Sequence, residues 1–340
     1  MKDDVGNTRD FSTVHTNTSS LLGGPQTLTI EDVASMAGAT IEEVRDFWVA
    51  MGFPSPRSEE KVFTENDAKL FLQWSRFMAS GAIDTATARS LLRANSHLAD
   101  RLGLWQVEAL VEDTMRRFGL DDTAARMYVL DHIRERVDVL EDVLRHSWRR
   151  QLDALLKRMD HEISTRGHEG LQPRFPLNRS LGFVDMVSYT SSSAILGGKL
   201  VDLIGRFEQL SRDAVTDAGG RVVKMIGDAV MYIADDLETG LRVAVSLIEQ
   251  LGADDQMLPV RASFVRGDVF SRSGDVFGPT VNLASRLVDI APVGKILMDP
   301  TTAAAIAAGK AGMEYDVEEF PSATLRGFGT ISPYLLTYRR

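Results

Sequence analysis

The chain has 340 residues, no cysteine and a formal net charge of −10, with 44% hydrophobic and 25% charged residues. The length suits two domains that each bury a core, and the absence of cysteine excludes disulfides, thiol nucleophiles and cysteine-based metal sites. The negative charge disfavours nucleic acid as a partner. Because no apolar stretch is long enough to span a bilayer, we expect a cytoplasmic protein.

The first half of the chain carries a helical pattern after a polar start. We expect residues 1–26, rich in Ser, Thr, Asn and Gly, to form a mobile tail and residues 27–166 to form a helical domain. Three helix starts show the Thr-x-x-acid signature of a capping box: Thr29 with Asp32, Thr40 with Glu43, and Thr64 with Asp67. Further short helices are predicted to begin at Asp84, at about Trp105 and at Asp121.

The most regular stretch predicts a long helix over residues 131–166. Its apolar residues recur at alternating spacings of three and four, with one small stutter: Leu130, Ile133, Val137, Leu140, Leu144, Trp148, Leu152, Leu155 and Met159. Two interpretations fit this stripe, namely one helix of an ordinary bundle or a dimer helix that leads into the next domain. Residues 167–178, with two prolines and two glycines, are predicted to be the interdomain linker.

Residues 179–340 follow a different pattern, in which short apolar strands alternate with helices. Strands are predicted at 181–187, 222–226, 230–233, 260–265, 269–270 and 295–298, and near Tyr315 and Tyr334. Helices are predicted over 198–218, over 237–251 and from about Thr280. The order β-α-β-β-α-β, with additional elements, predicts an α+β domain with a ferredoxin-like fold.

The second domain has neither histidine nor cysteine, so any catalysis there depends on carboxylates, Lys, Arg and Asn, with or without a metal ion. Asp185 lies near the end of an apolar strand in FVDMVSYT, and Asp228 lies in the turn of KMIGDAV. An aspartate in an apolar strand is costly unless a metal or another charge compensates it. In DVFGPTVNLASR, Asn282 and Arg286 are spaced to share one helix face, with Asp275 upstream.

Three segments in this order, FVDMVSYT, VVKMIGDAVMYI and GDVFGPTVNLASRL, resemble the catalytic core of the class III nucleotidyl cyclases. The resemblance covers roughly residues 178–340. It implies an adenylate cyclase that converts ATP into 3′,5′-cyclic AMP and pyrophosphate by two-metal-ion catalysis. Asp185 and Asp228, together with the Met186 carbonyl, would then bind two Mg²⁺ or Mn²⁺ ions per active site.

The same resemblance assigns residues to the nucleotide. Lys224 would donate to adenine N1 and Asp275 would accept from the 6-amino group, a pattern that disfavours guanine and therefore a guanylyl cyclase. Asn282 would orient the ribose, and Arg286 would stabilise charge on the α-phosphate.

The resemblance also extends to the triphosphate and to assembly. Lys295, in VGKILM, and Arg326, in LRGFG, are candidate triphosphate contacts. In this family each active site lies between two catalytic domains, and this chain carries every residue type that one site needs. We therefore expect a homodimer with shared active sites.

The first domain resembles both winged-helix regulators and the N-terminal regulatory domain of some actinobacterial class III cyclases. A DNA-binding helix needs a basic face, whereas a segment such as IEEVRDF is acidic, so we favour a regulatory and dimerising domain. The resemblance to the actinobacterial cyclases implies that this domain is autoinhibitory. The domain holds four histidines that make pH sensing physically reasonable: His97, His132, His146 and His161. The alternative is a helix-turn-helix-type regulator whose cyclase-like domain binds a nucleotide but is inactive.

Overall fold

The computed structural model describes residues 18–166, 177–189, 199–272, 274–309 and 315–338. It divides into two compact units, Met1–Glu169 and Gly170–Arg340. No helix within these described ranges combines the length and the apolarity that crossing a membrane requires.

The first unit is built from helices. Their bounds are α1 Ile30–Ala37, α2 Ile41–Ala50, α3 Glu65–Ala79, α4 Thr85–Phe118, α5 Asp122–His132 and α6 Arg134–Arg166. The three expected capping boxes are confirmed, because each threonine hydroxyl accepts from the N3 amide while the N3 carboxylate accepts from the threonine amide. The hydrogen bonds from Thr40 lower the pKa of Glu43. Asp84 and Asp121 cap α4 and α5 as predicted.

Two expectations for this unit differ from the structure. The predicted helix start near Trp105 is wrong, since α4 runs unbroken through it; the nearby Gly103 costs only about 1 kcal/mol relative to alanine, which a long helix tolerates. Part of the segment that was expected to be a mobile tail makes defined contacts instead. The Asn66 side chain donates to the carbonyls of Leu22 and Gly23 at 3.2 and 3.3 Å. Residues 1–17 of that tail lie outside the described residues.

The second unit mixes helices and strands. Its elements are β1 Leu177–Met186, α7 Lys199–Asp217, β2 Arg221–Ile226, β3 Ala229–Ala234, α8 Leu237–Gly252, β4 Val260–Arg272, β5 Asp275–Phe277, α9 Pro279–Ile290, β6 Ile296–Met298, α10 Pro300–Ala308, β7 Tyr315–Glu319, β8 Ala323–Leu325, β9 Gly329–Ile331 and β10 Tyr334–Tyr338. The main sheet has the order β2-β3-β1-β4-β6-β10-β7, with β5 paired to β4. The predicted α+β fold is confirmed.

The elements of this unit differ from the prediction in several places. The predicted strands 260–265 and 269–270 form one continuous β4, because Gly267 and Asp268, which suggest a turn, pair with Arg179 and Asn178 of β1. Strand β1 begins at Leu177, within the segment expected to be linker, and residues 167–176 of that segment lie outside the described residues. Strand β5, helix α10 and the β8–β9 hairpin are elements that the sequence pattern did not predict.

The two faces of the sheet bury different clusters, because successive side chains of a strand point to opposite faces. Val184 and Met186 of β1 pack in the cluster that includes residues of α7 and α8. Leu181 and Phe183 pack in the cluster that includes residues of α9. Asp185 therefore lies on the α9 face of the sheet, at the end of β1.

Candidate active site

The two aspartates expected to bind metal lie at the same end of the sheet. Asp185 is the penultimate residue of β1, where it pairs with Ala229 of β3 and Arg261 of β4. Asp228 lies in the tight turn between β2 and β3, and its carbonyl accepts a 3.0 Å hydrogen bond from the amide of Met186. The hairpin thus places the Asp228 backbone directly beside the end of β1.

Asp185 is half-buried and has a cationic neighbour that sequence analysis missed. Arg261 donates to one Asp185 carboxylate oxygen from Nε at 3.1 Å and from Nη2 at 2.8 Å. Burial raises the pKa of Asp185; Arg261 lowers it, and the charges of Asp228 and Asp289 raise it. The only signal for Arg261 was a charged residue at the start of the apolar segment VRASFV, the same signal that identified Asp185.

The donor set at this end fits a hard divalent cation. Two carboxylates and a main-chain carbonyl offer oxygen ligands, which Mg²⁺ and Mn²⁺ prefer. The charge of Asp228 disfavours ionised Asp185, and a bound cation would remove that repulsion. Across the described ranges, no three or more His, Cys, Asp or Glu side chains form a metal-binding group.

The two residues expected to recognise the purine are in direct contact. Lys224 of β2 donates from Nζ to a carboxylate oxygen of Asp275, the first residue of β5, at 2.7 Å. Their side chains remain 37% and 31% exposed. The other Asp275 oxygen accepts the amide hydrogen of Val276 at 2.8 Å. The structure therefore presents a cationic donor and an anionic acceptor side by side at an accessible position.

Asn282 and Arg286 are both exposed on α9, whereas Ala284, Leu287 and Val288 on its other face are buried. The Arg286 guanidinium lies 3.5 Å from the Asp289 carboxylate, one turn along. Asn282 and Arg286 therefore share one exposed face of α9, as their four-residue spacing predicts.

The start of α9 lies at the other end of the sheet from Asp185. The Thr280 hydroxyl, in the first turn of α9, donates to the Asp268 carbonyl at 2.7 Å, and Asp268 pairs with Asn178. From Asn178 to Asp185, β1 extends by about 23 Å at 3.3 Å per residue. The first turn of α9 is therefore remote from Asp185, whereas its last turn is close to Asp185, because Arg261 donates to both the Asp289 carbonyl and the Asp185 carboxylate.

The two candidate triphosphate contacts are exposed. The Lys295 carbonyl accepts from the Ala262 amide at 2.9 Å, which places Lys295 next to Arg261 and thus near the aspartate end of the sheet. Arg326 lies in the turn between β8 and β9. Lys295 immediately precedes β6, so the two residues lie on different loops of the unit.

Comparison with known proteins identifies the family. Residues 178–338 match the family model described as adenylate and guanylate cyclase catalytic domain. An adenylate cyclase of Glutamicibacter nicotianae is 37% identical over 326 residues, which cover 93% of this chain and 80% of that protein. An adenylate cyclase of Streptomyces coelicolor is 32% identical over 345 residues, covering 94% of this chain and 88% of that protein. A pH-sensitive adenylate cyclase of Mycobacterium tuberculosis, MT1302, is 34% identical over 120 residues, 35% of this chain and 30% of that protein. The chain belongs to the class III adenylate cyclase family.

Proposed function

We propose that this chain converts ATP into cyclic AMP and pyrophosphate. The ion pair between Lys224 and Asp275 is the observation that carries the proposal. Its ammonium group matches the acceptor at adenine N1, and its carboxylate matches the donor at the adenine 6-amino group. Guanine has a donor at N1 and an acceptor at O6, so both contacts would be mismatched. ATP as the substrate also favours a cytoplasmic location for this chain.

The chemistry that we propose assigns a task to each remaining residue. Asp185, Asp228 and the Met186 carbonyl would hold Mg²⁺ or Mn²⁺, and such ions favour ionisation of the attacking 3′-hydroxyl and neutralise the triphosphate when they are bound. Asn282 would orient the ribose, and the Arg286 guanidinium would stabilise negative charge that develops at the α-phosphate.

Three basic residues complete this assignment. Arg261 would orient the Asp185 carboxylate through its two hydrogen bonds. Lys295 and Arg326 would contact the triphosphate, because both side chains are exposed and cationic.

We also propose that the active site is shared between two copies of the chain. One chain would supply Asp185 and Asp228, and its partner would supply Lys224, Asp275, Asn282 and Arg286. The first turn of α9 supports this division for Asn282, since that turn lies at the other end of the sheet from Asp185. A head-to-tail homodimer with two-fold symmetry has two equivalent sites of this kind.

The test is nucleotide turnover by the full chain, measured with ATP and with GTP in the presence of Mg²⁺ or Mn²⁺. We expect cyclic AMP from ATP, with kcat/KM for GTP lower by roughly 100-fold or more because two hydrogen bonds are mismatched. The Asp185→Ala variant is the inactive control. ATP binding without cyclic AMP would contradict the proposal and favour a regulator with an inactive cyclase-like domain.

We propose that the helical unit regulates this activity and that pH acts through His132. This residue ends α5, just before the break at Ile133 that precedes α6. Its ring stacks on Tyr128 at 4.1 Å, and Nδ1 lies 2.8 Å from the Tyr128 carbonyl, to which it must donate. His132 thus lies at the C-terminal end of α5, next to Arg136, which donates to the His132 carbonyl at 3.1 Å.

A further inference from the structure

We propose that Arg261 is a positioning residue for both active sites of the homodimer. It orients Asp185 for one site and anchors the last turn of α9 for the other. In the shared active site proposed above, on which this inference rests, Asp185 of one chain and α9 of its partner act on the same nucleotide. Each chain therefore contributes to two different sites, and Arg261 lies where its two contributions meet.

The Arg261 guanidinium contacts both contributions directly. Nε and Nη2 donate to one carboxylate oxygen of Asp185 at 3.1 and 2.8 Å, and Nη1 donates to the main-chain carbonyl of Asp289, in the last turn of α9. The Arg261 side chain is only 25% exposed, so water competes little for these donors. Because a planar guanidinium holds its donors in a fixed fork, it couples the position of the carboxylate to that of the helix end.

The contact with Asp289 is suited to fixing the end of a helix. Carbonyls in the last turn of a helix have no partner within the helix, and the helix dipole favours a cation beside them. Arg261 supplies both a hydrogen-bond donor and a positive charge at the end of α9. It thereby restrains this turn from the neighbouring strand β4, to which Arg261 belongs.

The restrained turn is next to the residue proposed to stabilise the α-phosphate. Arg286 precedes Asp289 by one turn, and its guanidinium lies 3.5 Å from the Asp289 carboxylate. These two side chains are 44% and 56% exposed, so their ion pair alone is a weak restraint. The main-chain contact from Arg261 restrains the turn itself, and with it the position from which Arg286 reaches the substrate.

Catalysis is sensitive to both of these positions. Loss of a side chain that orients a metal ligand typically lowers metal affinity by about 10- to 100-fold. A displacement of about 1 Å in a group that acts on the substrate can cost roughly 100-fold in rate. Loss of Arg261 should therefore weaken metal binding in one site and slow the chemical step in the other.

Mixed dimers of the full chain with a single intact site separate the two effects. One chain carries Asp228→Asn and supplies only its nucleotide-contacting residues, including α9, to the intact site. The other carries Asn282→Ala and supplies only its aspartates. Arg261→Gln is then added to either chain in turn. The Asp228→Asn variant is used because it leaves the ion pair between Asp185 and Arg261 in place.

The two placements of Arg261→Gln should have different kinetic effects. In the chain that supplies the aspartates, it should raise the Mn²⁺ concentration for half-maximal cyclic AMP formation by roughly tenfold. In the chain that supplies α9, it should lower kcat by roughly tenfold and leave the Mn²⁺ requirement within about twofold. An unchanged kcat in the second placement, or the same effect in both, would overturn the proposal.

Two further variants distinguish positioning from general stability. Arg206→Gln breaks an ion pair with Asp254 that involves α7, on the opposite face of the sheet from α9, and should leave both kinetic constants unchanged in either chain. Arg261→Lys keeps a positive charge beside Asp185 and should show the same division between the two placements even if glutamine lowers stability.

Hydrogen exchange gives a readout that does not depend on catalysis. In the full chain with Arg261→Gln, amides in the last turn of α9 should exchange roughly fivefold faster or more, whereas those of α8 should be unchanged. Unchanged exchange in α9, or an equal increase in both helices, would overturn the anchoring role. If the mixed dimer with Arg261 intact makes no cyclic AMP, the proposed shared site fails, while hydrogen exchange still decides whether Arg261 anchors α9.

Discussion

Lys224 and Asp275 are separated by 51 residues in the sequence, yet their side chains meet at 2.7 Å. The contact joins β2 to the hairpin formed by β4 and β5. Since each side chain is about one third exposed, the pair remains accessible to a ligand. Its donor and acceptor are held next to one another, which suits recognition of two adjacent groups on one purine edge.

Exchanging the hydrogen-bonding character of this pair should change the nucleotide preference. In the Lys224→Glu, Asp275→Ser double variant, the carboxylate can accept from guanine N1 and the hydroxyl can donate to O6. We expect kcat/KM for ATP to fall roughly 100-fold or more, and GTP to become the better substrate. Steady-state kinetics with both nucleotides, for the double and both single variants, measure this. An unchanged preference for ATP would contradict the assignment of these residues to the base.

Removing one carboxylate of the metal site should weaken both metal binding and catalysis. For Asp228→Asn we expect cyclic AMP formation to fall by roughly 1,000-fold, because a neutral amide is a poorer ligand for Mg²⁺ or Mn²⁺. A calorimetric titration of the variant with Mn²⁺ measures the accompanying loss of metal affinity. Asp213→Asn, on the exposed surface of α7, is the matched control and should match the wild type. Equal metal affinity in both variants would exclude Asp228 as a ligand.

Strand β1 requires glycine at position 182. A Cβ there would collide with the Ser263 carbonyl and the Tyr232 ring, so we expect Gly182→Ala to lower the free energy of unfolding by about 2 kcal/mol. Gly205→Ala, in α7, is the control: its Cβ meets nothing within 4 Å, and alanine should stabilise the helix by about 0.5–1 kcal/mol. Urea unfolding of both variants checks the prediction, and equal stabilities would contradict the packing of β1.

The His132→Gln variant tests the proposed pH control. Glutamine keeps a hydrogen-bond donor near the Tyr128 carbonyl but does not titrate. We expect the ratio of activity at pH 6 to that at pH 8 to differ from the wild-type ratio by at least about twofold. His97→Gln, an exposed site on α4, should keep the wild-type ratio. The same ratio in all three proteins would assign any pH dependence to groups other than His132.

Local signals predicted local structure well. The capping boxes at Thr29, Thr40 and Thr64 were correct because both partners lie within one turn. The β2–β3 hairpin around Asp228 was predicted for the same reason. By contrast, the continuity of β4 through Gly267 depends on pairing with β1, which local sequence does not encode.

The site shows the same division between local and long-range information. The three motifs and the family that they resemble identified Asp185, Lys224 and Asn282, but they did not place these residues relative to one another. The ion pair of Asp185 with Arg261 follows from strand register. The remoteness of the first turn of α9 from Asp185 depends on how α9 packs against β4.

The shared active site is tested most directly by complementation between two inactive variants. Asp185→Ala lacks a metal ligand and Asn282→Ala lacks the ribose contact, so each homodimer should be inactive. When the two chains are co-expressed in equal amounts, about half of the dimers are mixed, and each mixed dimer has one intact site. We predict that cyclic AMP formation recovers to about one quarter of the wild-type rate. A mixture that remains as inactive as its components would contradict the shared site.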